Sequence, residues 1–215
     1  MKDDWLAQFV EDIEREWVWR FRDLICYKQL LYNVDDANRD VLCRTCILLI
    51  YSHWEGFIKN TGKKFIKIFI NEKIYNVPNN ILVAHFIVIN KKILATQSSY
   101  DGAIEVLNKI KDNECICYDI EDIINTESNL NYKNLMKILP FIGINEDIFE
   151  LKANYINNFV ECRHGIAHGE RRKLDINDIF NYIEGFIKML NTYKEQLLDN
   201  AEKISNALDT NIRGD

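Results

Sequence analysis

The chain has 215 residues, 47% of them hydrophobic and 12% aromatic, enough to bury a sizeable core and too many for an intrinsically disordered chain. Two prolines and eight glycines are too few for the tight turns of a β-sandwich or barrel, so the composition favours long helices. A net charge of −6 and a pI of about 5.3 exclude the strongly basic footprint of a general nucleic-acid binder. They leave two local basic stretches, Lys59, Lys63, Lys64, Lys67 and then Arg171, Arg172, Lys173.

In chain order, the start Met1-Lys2-Asp3-Asp4-Trp5 has no charged-then-apolar export pattern, and no apolar run approaches the ~20 residues that span a bilayer. A cytoplasmic protein is the expectation, with no membrane partner. Asp3 and Asp4 can cap a helix over Asp4–Leu31, whose Trp5, Phe9, Ile13, Trp17, Phe21 and Leu24 recur at spacings of three and four. Val34 to Asn38 is a polar break with Asp35 or Asp36 as the next cap. A second helix follows over Arg39–Ile70, carrying a wide apolar stripe from Leu42 to Phe69 that suits burial between two neighbours. Gly56 and Gly62 are expected either to kink it or to let another backbone approach closely.

Residues 71–129 are less regular and read as an insertion within a single domain of residues 1–215, being too short to own a robust core. Within the insertion, 81–89 fits helix or strand equally, 101–111 reads as helix and 115–118 as extended. A short helix from Asn131 to Leu139 closes at Pro140 and Gly143. Another starts near Asn145 and carries Ile148, Leu151, Tyr155, Ile156, Phe159 and Val160 on one face. Asp175 caps a last helix reaching Leu208, with Ile179, Ile183, Phe186, Leu190, Tyr193 and Leu197 on its apolar side. The fold class is therefore all-α, with long helices and a mid-chain insertion.

Six cysteines include the pair Cys43 and Cys46 and the pair Cys115 and Cys117. Structural zinc needs four ligands at fitting spacings, whereas Cys43 and Cys46 lie in an apolar helical run where free cysteine packs as a small hydrophobe. Reduced, buried thiols are expected, and no metal or other cofactor. His53 and His85, also inside apolar runs, read as hydrogen-bonded core histidines.

Chemistry concentrates in Cys162-Arg163-His164-Gly165-Ile166-Ala167-His168-Gly169. His164 and His168 stand four apart on one helical face, the spacing of helical zinc peptidases, but Gly165 occupies the place of their glutamate base. Arginine with histidine suits phosphoryl chemistry without a metal. Imidazole, with an ordinary pKa of ~6.5, can exchange a proton with a ribose hydroxyl, and guanidinium can stabilise charge on phosphate oxygens. On an ideal helix Arg163 and His168 lie roughly 140° apart, so convergence needs a distorted helix or two chains. A plainer alternative makes both of them helix-end charges paired with Glu161 and Glu170.

Arg163 to His168 matches the R-x(4–6)-H motif of the HEPN superfamily (higher eukaryotes and prokaryotes nucleotide-binding), and the segment resembles its common R-N-x-I-A-H-G form, with His164 in place of the asparagine. Cys46 through Lys59 resembles the second-helix signature of the MAE-type bacterial branch. Ser128-Asn129-Leu130-Asn131 resembles that branch's segment upstream of the motif. The resemblance implies a HEPN-like helical bundle with long antiparallel helices, a homodimer joined near the motif, and endonucleolytic RNA cleavage by 2′-hydroxyl attack. It implies Arg163 and His168 as catalytic residues, His164 as a supporting one, and a role as a toxin or antiphage-defence effector. An antitoxin or partner protein encoded by a neighbouring gene would go with that role. Glu55 is a candidate to orient Arg163 through a charge-assisted hydrogen bond, and Arg171, Arg172 and Lys173 are candidates to bind RNA. The other reading is a catalytically inactive HEPN module that binds nucleotide or a protein partner.

Overall fold

The computed structural model describes residues 2–69, 78–83, 104, 108 and 123–212. Two 32-residue helices open the chain, α1 over Lys2–Asn33 and α2 over Asp36–Lys67. Asp3 and Asp4 lie inside α1 rather than capping it. Asp35 caps α2, its carboxylate accepting the Asn38 N–H, so α2 starts three residues earlier than its apolar stripe suggests.

The remaining elements are α3, Tyr132–Ile138; 3₁₀ segments over Leu139–Ile142 and Glu146–Lys152; α4, Ala153–Ala167; and α5, Ile176–Ile212. No strand occurs among the described residues. Of the insertion, residues 79–83 form a helical turn, while Ile104 and Asn108 are helical. The readings at 115–118, at His85, and at Cys115 and Cys117 lie outside the described residues.

Ion pairs fix the directions of the long helices. Lys64 of α2 meets Asp12 of α1 at 3.2 Å, while Lys28 of α1 meets Glu184 of α5 and Lys194 of α5 meets Glu14 of α1, so that α5 also runs against α1. α2 and α5 run parallel, with Trp54 against Phe186 (ring centroids 5.2 Å) and Phe57 against Tyr193 (6.0 Å). α4 packs on the free side of α2, and Phe159 meets Phe186 at 4.4 Å. By length and composition α2 could cross a bilayer, yet its stripe is covered by α1, α4 and α5, as the central helix of a bundle requires. Neither Gly56 nor Gly62 interrupts it; Gly62 instead admits the Ile124 side chain.

Two expected core residues face outward. Phe21 is exposed because Arg20 takes the inward position and Phe21 follows 100° around the helix. Leu151 is 96% exposed and Phe149 only 1%, because this stretch is 3₁₀ helix, whose three-residue turn shifts the phase of an α-helical pattern. Cys43 and Cys46 are buried free thiols, and burial pushes the Cys46 thiol up to about 12. His53 is a hydrogen-bonded core histidine, its Nε2 3.0 Å from the Tyr27 hydroxyl.

Candidate active site

α4 reaches the site because Ile156, Phe159 and Val160 anchor one face in the core, leaving its last turn to carry Arg163, His164 and, at the C-cap, His168. Its end is a Schellman motif. Gly169, at φ +88°, donates to the Ile166 carbonyl, and the Glu170 N–H donates to the Gly165 carbonyl at 2.9 Å. The chain then doubles back over Gly165, where a Cβ would collide with the Glu170 carboxylate and the Arg172 guanidinium. Glycine at 165 and 169 thus sharpens the turn, while the helix itself stays regular through Ala167.

Arg163 turns inward towards α2. Its Cζ lies 3.7 Å above the Tyr51 ring, and Nη2 donates to the Ser128 carbonyl at 3.3 Å and the Asn129 Oδ1 at 3.4 Å. Its Nε is buried without a partner. The segment holding those acceptors is itself tied to α2: the Leu130 N–H donates to the Tyr51 hydroxyl at 2.8 Å, and Trp54 Nε1 donates to the Leu130 carbonyl at 3.0 Å. Immediately before it, Glu127 and Ser128 both adopt φ of 53°, an uncommon backbone for residues other than glycine. Strained backbone that the surroundings over-determine concentrates at functional sites.

Tyr51 is the residue that sequence reasoning missed, although it lies within the quoted Cys46–Lys59 stretch. Burial raises its hydroxyl to about 12, opposed by the Leu130 N–H and the Arg163 charge and assisted by Glu55. Glu55, one turn further along α2, makes neither an ion pair nor a hydrogen bond with Arg163, and its Oε1 is buried without a partner. Tyr51, not Glu55, supports the guanidinium.

His164 and His168 are both exposed and stack with ring centroids 4.3 Å apart. Among the described residues no group of three His, Cys, Asp or Glu side chains converges as a metal would require, so this pair lacks a third ligand. The helix-end pairing with Glu161 and Glu170 does not form either: Glu170 pairs with Arg172 at 3.0 Å. Of the second basic stretch, Arg172 is thus engaged, while Arg171 and Lys173 remain exposed. In the first, Lys64 is spent on Asp12.

Beside Arg163 opens a groove of about 420 Å³, floored by the buried Val160 and lined by Asn129, Asn131, Lys133, Asn157, Glu161 and His164. Asn129 is shared by the groove and Arg163. The structure therefore gathers Arg163, His164 and the 128–131 segment into one place. His168 joins through its ring contact with His164, and Glu55 touches Tyr51 rather than Arg163.

An all-α bundle presenting a buried-stemmed arginine beside two exposed histidines defines the class of protein to which comparison should lead. The chain belongs to the RiboL-PSP-HEPN family, which it matches over residues 15–199. Membership points to nuclease or RNA-related function in general; the finer likeness to the MAE-type branch is not part of that match. No curated protein and no solved structure gives a significant match.

Proposed function

We propose that the protein is a metal-independent endoribonuclease, working as a homodimer in the cytoplasm as a toxin or antiphage-defence effector. The observation that carries this reading is the state of Arg163. Among the described residues it has no carboxylate partner, and it is held by an aromatic face and by two neutral oxygens at 3.3 and 3.4 Å. A guanidinium so held keeps capacity for a bidentate anion such as phosphate.

In the proposed reaction His168 accepts the proton of a ribose 2′-hydroxyl as that oxygen attacks the adjacent phosphorus. The new P–O2′ bond forms while the P–O5′ bond breaks, and a second imidazole protonates the departing 5′-oxygen. The products are a 2′,3′-cyclic phosphate and a free 5′-hydroxyl, with Arg163 stabilising the charge on the non-bridging oxygens. Because α4 is regular, Arg163 and His168 of one chain keep separate directions. A two-fold dimer with the motifs near its axis supplies base and acid from two copies of one surface. Exposed Leu48, one turn before Tyr51, and exposed Val41 and Leu49 offer apolar area on the adjoining face of α2. Arg171 and Lys173 would guide the RNA, and a partner protein from a neighbouring gene would restrain the enzyme.

The test is cleavage of a defined RNA in EDTA. Undiminished activity with cyclic-phosphate ends is expected, together with a dimer by light scattering. Arg163→Ala and His168→Ala should each lower the rate roughly 10²-fold or more at unchanged melting temperature. Arg163→Lys should fail too, since a point charge cannot replace the fork, while His164→Asn keeps most activity. Loss in EDTA with rescue by one metal would revive the His164–His168 ligand pair. The alternative, an inactive HEPN module, draws on the same contacts of Arg163, which would then be purely architectural. It gains if Arg163→Ala costs ~3 kcal/mol of stability and activity falls only in proportion.

A further inference from the structure

The groove beside Arg163 holds three asparagines, each with its amide oxygen held by a donor-only group. Asn131 Oδ1 accepts the Asn134 N–H at 2.9 Å, Asn157 Oδ1 accepts the Tyr132 N–H at 3.1 Å, and Asn129 Oδ1 accepts from Arg163 at 3.4 Å. Backbone N–H and guanidinium groups can only donate, so each amide oxygen must face its partner and none can be flipped. Each oxygen thus has one lone pair engaged, while each NH₂ keeps both hydrogens, and none of the three donates to another described protein group through it. Lys133 adds an ammonium, also donor-only, and the Glu161 carboxylate supplies an acceptor. Val160 gives an apolar floor. The lining is thus rich in donors around a single carboxylate, in a space of about 420 Å³ that suits one nucleotide.

We propose that this groove is a base-recognition subsite that takes uracil from the nucleotide next to the scissile phosphate; the proposal rests on the ribonuclease reading above. The Watson–Crick edge of uracil presents O4, N3–H and O2, two acceptors flanking one donor. Asparagine NH₂ groups meet the two carbonyls and Glu161 meets N3–H. Asparagine ordinarily reads adenine by accepting from N6–H₂ and donating to N7. Here each asparagine oxygen already accepts one bond, so adenine finds its best acceptor for N6–H₂ in the single Glu161 carboxylate, whereas both carbonyls of uracil find amide donors. Single-stranded RNA, with its bases splayed from the stack, is the form that can enter such a groove.

The decisive variants are Asn131→Asp and Asn157→Asp. Aspartate keeps the oxygen that accepts the Asn134 or Tyr132 N–H, and is as good an N-cap as asparagine, so the fold is retained while the donor is removed. Asn158→Asp adds the same charge one residue along α4, in a different cleft beside Tyr155 and Asp178, and is the electrostatic control. The measurement is fluorescence anisotropy with 2′-O-methyl decamers of uridine, of adenosine and of abasic residues, which bind without being cleaved. We expect the uridine decamer to bind about tenfold tighter than the adenosine one. Each groove variant should lower uridine affinity about tenfold beyond the loss in Asn158→Asp, with no further loss on the abasic decamer. Equal binding of uridine and adenosine decamers would overturn the proposal. So would abasic binding as tight as uridine binding, which would make the groove a phosphate contact. If ordinary RNA is cleaved in EDTA yet no base preference appears, the groove proposal alone fails. A uridine preference without cleavage removes the ribonuclease reading and leaves the groove as a binding site.

Discussion

The bundle contains two arginine–histidine clusters, built from the same residue types and set in opposite surroundings. Between α1 and α2, Arg20 and His53 are 3% and 4% exposed. Arg20 pairs with the Glu16 carboxylate and also donates to its backbone carbonyl, with its Cζ 4.2 Å from the Trp19 ring. His53 bonds Tyr27 and stacks edge-on with Trp19. On the other side of α2, Arg163 also lies on an aromatic ring, but its polar partners are neutral, and its histidines stand in solvent. The difference separates a cation matched by a counter-charge from one left able to take a ligand. Arg20 is neutralised where it sits, whereas among the described residues no carboxylate neutralises Arg163, which is the condition for receiving an anion.

The largest expected effect tests that contrast directly. Arg20→Ala removes one partner of a buried pair and should cost about 3 kcal/mol or more in urea unfolding, while the rate per folded molecule stays near wild type. Arg163→Ala should do the reverse. Equal loss of stability at both positions would erase the distinction.

A smaller effect concerns pH. Burial pulls His53 down to about 4, with the nearby Asp23 charge opposing and Arg20 assisting. The unfolded chain, with an ordinary histidine pKa of ~6.5, binds a proton there before the folded chain does. Stability from this group is therefore complete above pH ~6.5 and is lost as pH falls towards 4, by on the order of 2–3 kcal/mol. His53→Leu should flatten that part of the stability–pH curve, measured by denaturant midpoints between pH 4 and 7. An unchanged slope would mean that other groups carry the acid sensitivity.

The helices were legible because sustained spacing of three and four has one meaning over thirty residues, and the interruption at Asp35 is chemically marked. Leu151 misled because a 3₁₀ turn leaves no distinct trace in the pattern. The motif ends were legible as residue types, and Arg163 does lie on a helix beside the 128–131 segment. Its support was not. Tyr51 looks like one more apolar member of a wide stripe, and only the packing of α4 on α2 shows its ring under a guanidinium. The groove was equally hidden, because the direction of an asparagine amide depends on which donor meets it in space.

The smallest effect sharpens how the exposed cluster is aimed. His168 is the C-cap of α4, and the following residue, Gly169, takes φ +88° to close the Schellman motif. Among the described residues, no atom beyond its chain neighbours lies within 4 Å of where a Cβ would stand at Gly169, so a side chain there meets backbone strain rather than a clash. Gly169→Ala should therefore cost about 1 kcal/mol, the scale of placing an L-residue in left-handed backbone. Gly169→Asn should cost less, because asparagine tolerates that region. Melting temperature should rank glycine above asparagine above alanine. Cleavage should follow the same rank, since a relaxed turn at 169 rotates the peptide that carries His168. If stability follows the rank but the rate does not, the turn serves the helix end alone and His168 is held by its stack on His164. Should alanine be tolerated at no cost, the left-handed turn itself would be refuted.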